Sequence, residues 1–132
     1  WLYRFFHPYL DLLAFRNEYS KVLTKQETAE AQLIRLTGQT AWKDTEKNKM
    51  LNFMQAQYER QRMFTSCGWF FGDINRIESQ NNIQYAARAI DLLEEATGLA
   101  LRKQVSRYLS RIESWETGLK ASTIFNNAFK TW

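Results

Sequence analysis

The chain carries few side chains able to do chemistry. It has one histidine, His7, and one cysteine, Cys67. A structural zinc site takes about four nitrogen or sulfur ligands, so no metal centre is expected. His7 stands among aromatic residues beside Pro8 and reads as structural rather than as a general base. Cys67 has no histidine near it in sequence to take its proton, so it reads as a small buried residue rather than a nucleophile. A serine-centred elbow, a phosphate-cradling glycine loop and a dinucleotide fingerprint are all missing, and no cofactor is expected. The carboxylates that fall together beside an irregular stretch are Asp73 and Glu78. Glycosidases work with two carboxylates, which makes the pair chemically suggestive. Glu78 also follows Asn75 by three, the spacing of a helix cap and its reciprocal acid, and that structural use is the stronger reading.

Both acids lie in the most irregular stretch of the chain, TSCGWFFGDINRIE at residues 65–78. It holds the cysteine and, between Gly68 and Gly72, the consecutive aromatics Trp69, Phe70 and Phe71. A glycine costs about 1 kcal/mol against alanine inside a helix. Two of them four residues apart predict a corner between helices, with Gly68 allowing close approach of another backbone or of a ligand.

The segments that must position this corner follow helical periodicity. In residues 9–23 the apolar Leu12, Phe15, Tyr19 and Val22 step by three and four after Pro8, which a first helical turn tolerates. Thr24 and Glu27 form a capping-box pattern for a second helix that Gly38 ends in a left-handed conformation. After a loop carrying Trp42, Asp44 or Thr45 caps a third helix to about Ser66, with Met50, Phe53, Met54 and Phe64 inward and Gln57 and Gln61 on the same side. A fourth helix starts near Asn75 or Ser79, runs to Thr97 before Gly98, and buries Ile83, Ala86, Ala87, Ile90 and Leu93. A fifth spans residues 100–113, and Ser122 caps a short sixth. No β alternation appears. The fold expected is all-α, an antiparallel helical bundle of five to six helices forming one domain over residues 1–132.

Composition narrows the function classes. No apolar run approaches the ~20 residues that cross a bilayer, and no signal peptide is visible, so no membrane is expected. A lone cysteine suits a reducing compartment, which makes the cytoplasm the expected location. The chain opens on Trp1 and closes on Trp132 without a polar tail, and reads as a piece of a longer protein. Residues 1–98 carry 12 basic and 12 acidic side chains, whereas residues 99–132 carry 6 and 2. Within that basic quarter Lys103, Arg107 and Arg111 recur every four residues, a stripe that could meet phosphate. No stacking aromatics interleave with it, so it reads as a solvated face opposite Leu101, Val105, Tyr108 and Ile112, and nucleic acid is disfavoured.

The stretch at residues 65–78, followed by YAARAI at residues 85–90 and Glu94-Glu95, resembles the helical C-terminal region attached to family-57 glycoside hydrolases. Residues 65–71, Asp73, Ile74, Ile77 and Glu78 match the family pattern, and Gly72 departs from it where the first acid of a pair is usual. The resemblance is strong over about residues 63–93. It implies a domain that packs on a catalytic barrel of the same polypeptide and adds aromatics to a polysaccharide or oligosaccharide site, with α-glucan-like substrate. The barrel's catalytic motifs do not occur here, so no residue of this chain is expected to be catalytic. The implied substrate-binding residues are Trp69, Phe70, Asp73, Glu78 and Cys67. Trp69 leads, because an indole face stacks on the apolar face of a pyranose, and the competing reading is a tryptophan buried in the bundle core. The competing function is a stand-alone helical module that contacts protein or nucleic acid. Far-ultraviolet circular dichroism should show a mostly helical chain, and a sheet-dominated spectrum would end the bundle reading.

Overall fold

A computed structural model describes residues 11–70 and 72–131. The readings made for Trp1, His7, Pro8, Phe71 and Trp132 lie outside the described residues. The expected all-α architecture is observed. The helices are α1 (Leu12–Glu18), α2 (Ser20–Leu23), α3 (Ala29–Thr37), α4 (Asp44–Arg62), α5 (Ser66–Phe70), α6 (Ile77–Thr97), α7 (Arg102–Leu109) and α8 (Ala121–Ala128). No strand forms among the described residues, where an isolated bridge pairs Glu113 with Lys120. The chain divides into two compact units, Trp1–Met54 and Gln55–Trp132, the division falling within α4.

In the first unit α1 begins where the Asp11 carboxylate accepts from the N–H groups of Leu13 and Ala14. The spacing that predicts one helix to residue 23 is broken at Tyr19, which separates α1 from α2. Phe15, Tyr19, Leu33, Met50, Phe53 and Met54 are its buried apolar residues. The capping box expected at Thr24 does not form. The Thr24 hydroxyl donates backward to the carbonyls of Ser20 and Lys21, closing α2 rather than opening α3. Glu27 is taken by Arg35, whose guanidinium also holds Glu18 at 2.7 Å. The cap of α3 is Thr28, accepting from the Ala31 N–H at 3.1 Å. Gly38 ends α3 at φ 68°, as expected. At the start of α4 Asp44 is already helical, and the Lys43 carbonyl accepts from Glu46 and Lys47.

In the second unit α6 packs against α5, α7 and α8. Ala87, Phe125 and Ala128 are buried together, with Ile83, Ile90, Val105, Leu109 and Phe129 around them. Phe125 and Phe129 meet edge to face at 5.1 Å. Ala89, Leu92 and Ala96 are also buried on α6, while Ile83, Ala86, Ile90 and Leu93 are only half-buried, a wider apolar face than one stripe predicts. Gly98 ends α6 at φ 71°. The Glu94 carboxylate then accepts from the N–H groups of Leu101 and Arg102, both at 2.7 Å, capping α7 from α6. That cap lies seven and eight residues away in sequence, and it starts α7 two residues later than expected. Lys103, Arg107 and Arg111 are exposed, in keeping with a solvated face, but Tyr108 and Ile112 are exposed as well. Helix α7 ends at Leu109, before the apolar stripe can carry Ile112 inward. Ser122 lies inside α8, which follows Lys120 with no side-chain cap.

A β-carbon at Gly68 would collide with the Asn82 side chain and lie 2.8 Å from the Glu78 carbonyl oxygen. Overpacking of this kind costs about 2 kcal/mol. At Gly98 an added β-carbon meets nothing, and the cost is that of positive φ alone, about 1 kcal/mol. Chemical denaturation should therefore rank Gly68→Ala below Gly98→Ala in stability, and the reverse order would show that α5 can lift from α6 without loss.

Candidate functional site

The corner at residues 63–79 is built from backbone bonds outward. Arg62, the last residue of α4, lies 4.0 Å from the Tyr85 ring on α6 and pairs with the buried Glu59 at 3.0 Å. The chain then turns, and α5 is tied to α6 by paired contacts. The Thr65 hydroxyl donates to the Asn82 amide oxygen at 2.7 Å, and the Asn82 amide donates to the Thr65 carbonyl at 3.2 Å. The Ser79 hydroxyl donates to the Gly68 carbonyl at 3.0 Å. These bonds satisfy Asn82 and Ser79, polar residues that α6 buries.

With α5 fixed, its aromatics point outward. Trp69 is 65% exposed; its indole N–H donates to the Met63 carbonyl at 2.8 Å and its ring stacks on Phe64 with centroids 6.5 Å apart. Phe64 is exposed, a correction to its expected place on the inner stripe of the long helix. That helix ends at Arg62, and the turn after it carries Phe64 to the surface beside Trp69. Phe70 is 83% exposed. Cys67 is exposed too, not buried as expected, because Gly68 is the residue of α5 that faces α6.

Beneath Trp69 lies a cavity of about 220 Å³, largely apolar, lined by Met63, Gly68, Asp73, Ile83, Leu109 and Ile112 among others. Of the expected site residues the structure brings Trp69 and Asp73 to this cavity; Cys67, Phe70 and Glu78 do not line it. Glu78 sits in the first turn of α6, with Arg76 Nε 3.9 Å from its Oε2, an oxygen shielded from solvent that accepts no hydrogen bond. The cap expected from Asn75 with Glu78 is absent. The Asn75 N–H is instead held by Asp73 Oδ1 at 2.6 Å, which turns the chain before α6 begins.

Asp73 is buried, and its Oδ2 accepts from the N–H groups of Trp115 at 3.0 Å and Glu116 at 3.4 Å. Burial by itself would raise its pKa. The Asn75 N–H, the Ser114 hydroxyl and the N–H groups of Glu116 and Trp115 outweigh it and hold the carboxyl below its ordinary value. Sequence reasoning places Trp115 and Gly118 in a loop before the last helix but gives that loop no role; the structure leaves Trp115 78% exposed.

Compared with known proteins, the chain matches a family model described as Domain of unknown function (DUF3536) over residues 6–131. No curated protein matches it, and no solved structure does.

The pH dependence follows from Asp73. Its folded pKa is depressed, so the stability it contributes is fully present above the unfolded value of about 3.9 and is lost as pH falls through the lower folded value. Denaturation curves of the wild type should weaken below about pH 4 more steeply than those of Asp73→Asn. Parallel curves would show that the Asp73 bonds contribute nothing net.

Proposed function

The chain belongs to the DUF3536 family, and on that premise we propose that it is an accessory helical domain of a family-57-like glycoside hydrolase. In this reading a longer polypeptide carries a catalytic barrel. The helical domain packs against it and contributes one wall of a site for an α-glucan-like polysaccharide or oligosaccharide. The observation that carries the reading is the apolar cavity with an exposed indole at its edge. A pyranose has an apolar C–H face suited to stacking on such a ring, and polar groups beside it fix orientation.

The size of the cavity supports a shared site. Complete small-molecule sites run to roughly 300–1,000 Å³, above the about 220 Å³ found here, so a second wall is needed to enclose a sugar. Exposed Phe64, Trp69, Phe70 and Ile77 supply apolar surface around the corner that a partner domain would cover. In this arrangement Trp69 is the stacking face and Phe70 extends the aromatic surface. Asp73 lines the cavity, and Cys67 and Glu78 flank it where the opposing wall would meet them. The catalytic carboxylates belong to the barrel, and this chain binds and orients.

In the full-length protein Trp69→Ala should weaken oligosaccharide binding or turnover about 5-fold, the loss of one stacked ring at about 1 kcal/mol. The melting temperature should hold, because the indole is mostly exposed. Unchanged binding and turnover would remove the carbohydrate reading and favour a stand-alone interaction module.

A further inference from the structure

Trp115 stands on a loop that the cavity itself anchors. The loop leaves from Ile112 and returns at Ala121, both of which line the cavity, and the Ala121 N–H donates to the Ile112 carbonyl at 3.0 Å, closing its base. Within it the Ser114 N–H donates to the Leu119 carbonyl at 2.8 Å, and Gly118, at φ 72°, donates to the Ser114 carbonyl at 2.9 Å. The buried Ser114 hydroxyl accepts from the Thr117 N–H and hydroxyl, both at 3.0 Å. The fastening across to the other wall is the Asp73 carboxylate, a third cavity-lining group, through the N–H groups of Trp115 and Glu116.

So ordered a loop holds the Trp115 backbone while its indole stays in solvent. A rigid backbone lowers the entropy that an aromatic contact must overcome on binding. Asp73 already accepts from the N–H groups of Asn75, Trp115 and Glu116. Its Oδ2 is turned to the loop and its Oδ1 to the Asn75 N–H, so these contacts fix backbone on both sides. We propose that Trp115 is a second aromatic contact for the carbohydrate bound at the Trp69 cavity, and that Asp73 is the positioning residue that sets it. This rests on the carbohydrate reading and adds to it a second ring, contributed by a loop 46 positions further along the chain.

The test measures maltohexaose binding to the full-length protein by titration calorimetry. Trp115→Ala should weaken binding about 3- to 10-fold, and Trp115→Phe should restore much of it, since a smaller ring still stacks. Asp73→Asn should weaken binding to a similar extent alone but add little in the Trp115→Ala background, because both act through one side chain. If Asp73→Asn fails to fold, Ser114→Ala, which removes the acceptor that holds the Thr117 N–H and hydroxyl within the loop, takes its place in the cycle. Weakening by Trp69→Ala with none by Trp115→Ala would overturn the inference and leave the carbohydrate reading standing. Full additivity of the Asp73 and Trp115 substitutions would overturn the positioning role. No binding by the wild type would overturn both readings together.

Discussion

Glycine at position 68 lets α5 lie against α6 closely enough for the side chains of Asn82 and Ser79 to reach its backbone. Much of the corner depends on that approach. Asn82 and Ser79 are polar groups buried on α6, and they are tolerated because Thr65 and Gly68 satisfy them. The same contact turns Gly68 inward and so leaves Cys67, Trp69 and Phe70 facing out. An aromatic surface is thus the consequence of packing a small residue. The indole of Trp69 is then steadied from its own side by Phe64 and the Met63 carbonyl.

Acidic side chains do the complementary work of joining elements. Glu94 caps α7 from α6, and Asp73 joins the turn before α6 to the loop before α8. In each case a carboxylate accepts from backbone N–H groups that would otherwise lack a partner, and such charge-assisted bonds are stronger than neutral ones. Arg102 adds to the first junction, meeting Asp91 at 2.6 Å and lying 3.7 Å from the Phe129 ring. Charge in this unit serves geometry as well as solubility. The carboxylates that suggest catalysis in the sequence are here a backbone acceptor, Asp73, and a half-buried residue of a first helical turn, Glu78.

The cavity of about 220 Å³ lies among aromatic residues that stand in solvent. The proposed partnership with a catalytic barrel accounts for two features at once. Under it the apolar rings at the helical corner face the barrel, and the carboxylate of Asp73 serves to position backbone. Under that reading Gly72, exposed and with open space around its α-carbon, widens the approach where relatives of the resembled type carry an acid.

The sequence by itself determined the helical class, the stops at Gly38 and Gly98 and the corner at Gly68, because periodicity and glycine conformation are local properties. It also set Trp69 beside Gly68 at that corner. Tertiary structure decided which polar side chains served which backbone. Thr24 matched a capping box, but Arg35 claims Glu27 from eight residues away, and Thr28 caps the helix instead. Asn75 and Glu78 matched another, but Asp73 holds the Asn75 N–H. Nor could spacing reveal that Asp73 meets Trp115, since a hydrogen bond across 42 positions depends on how α6, α7 and α8 pack. Local rules count the donors and acceptors within a turn, and only the folded chain brings in the distant ones that compete for them.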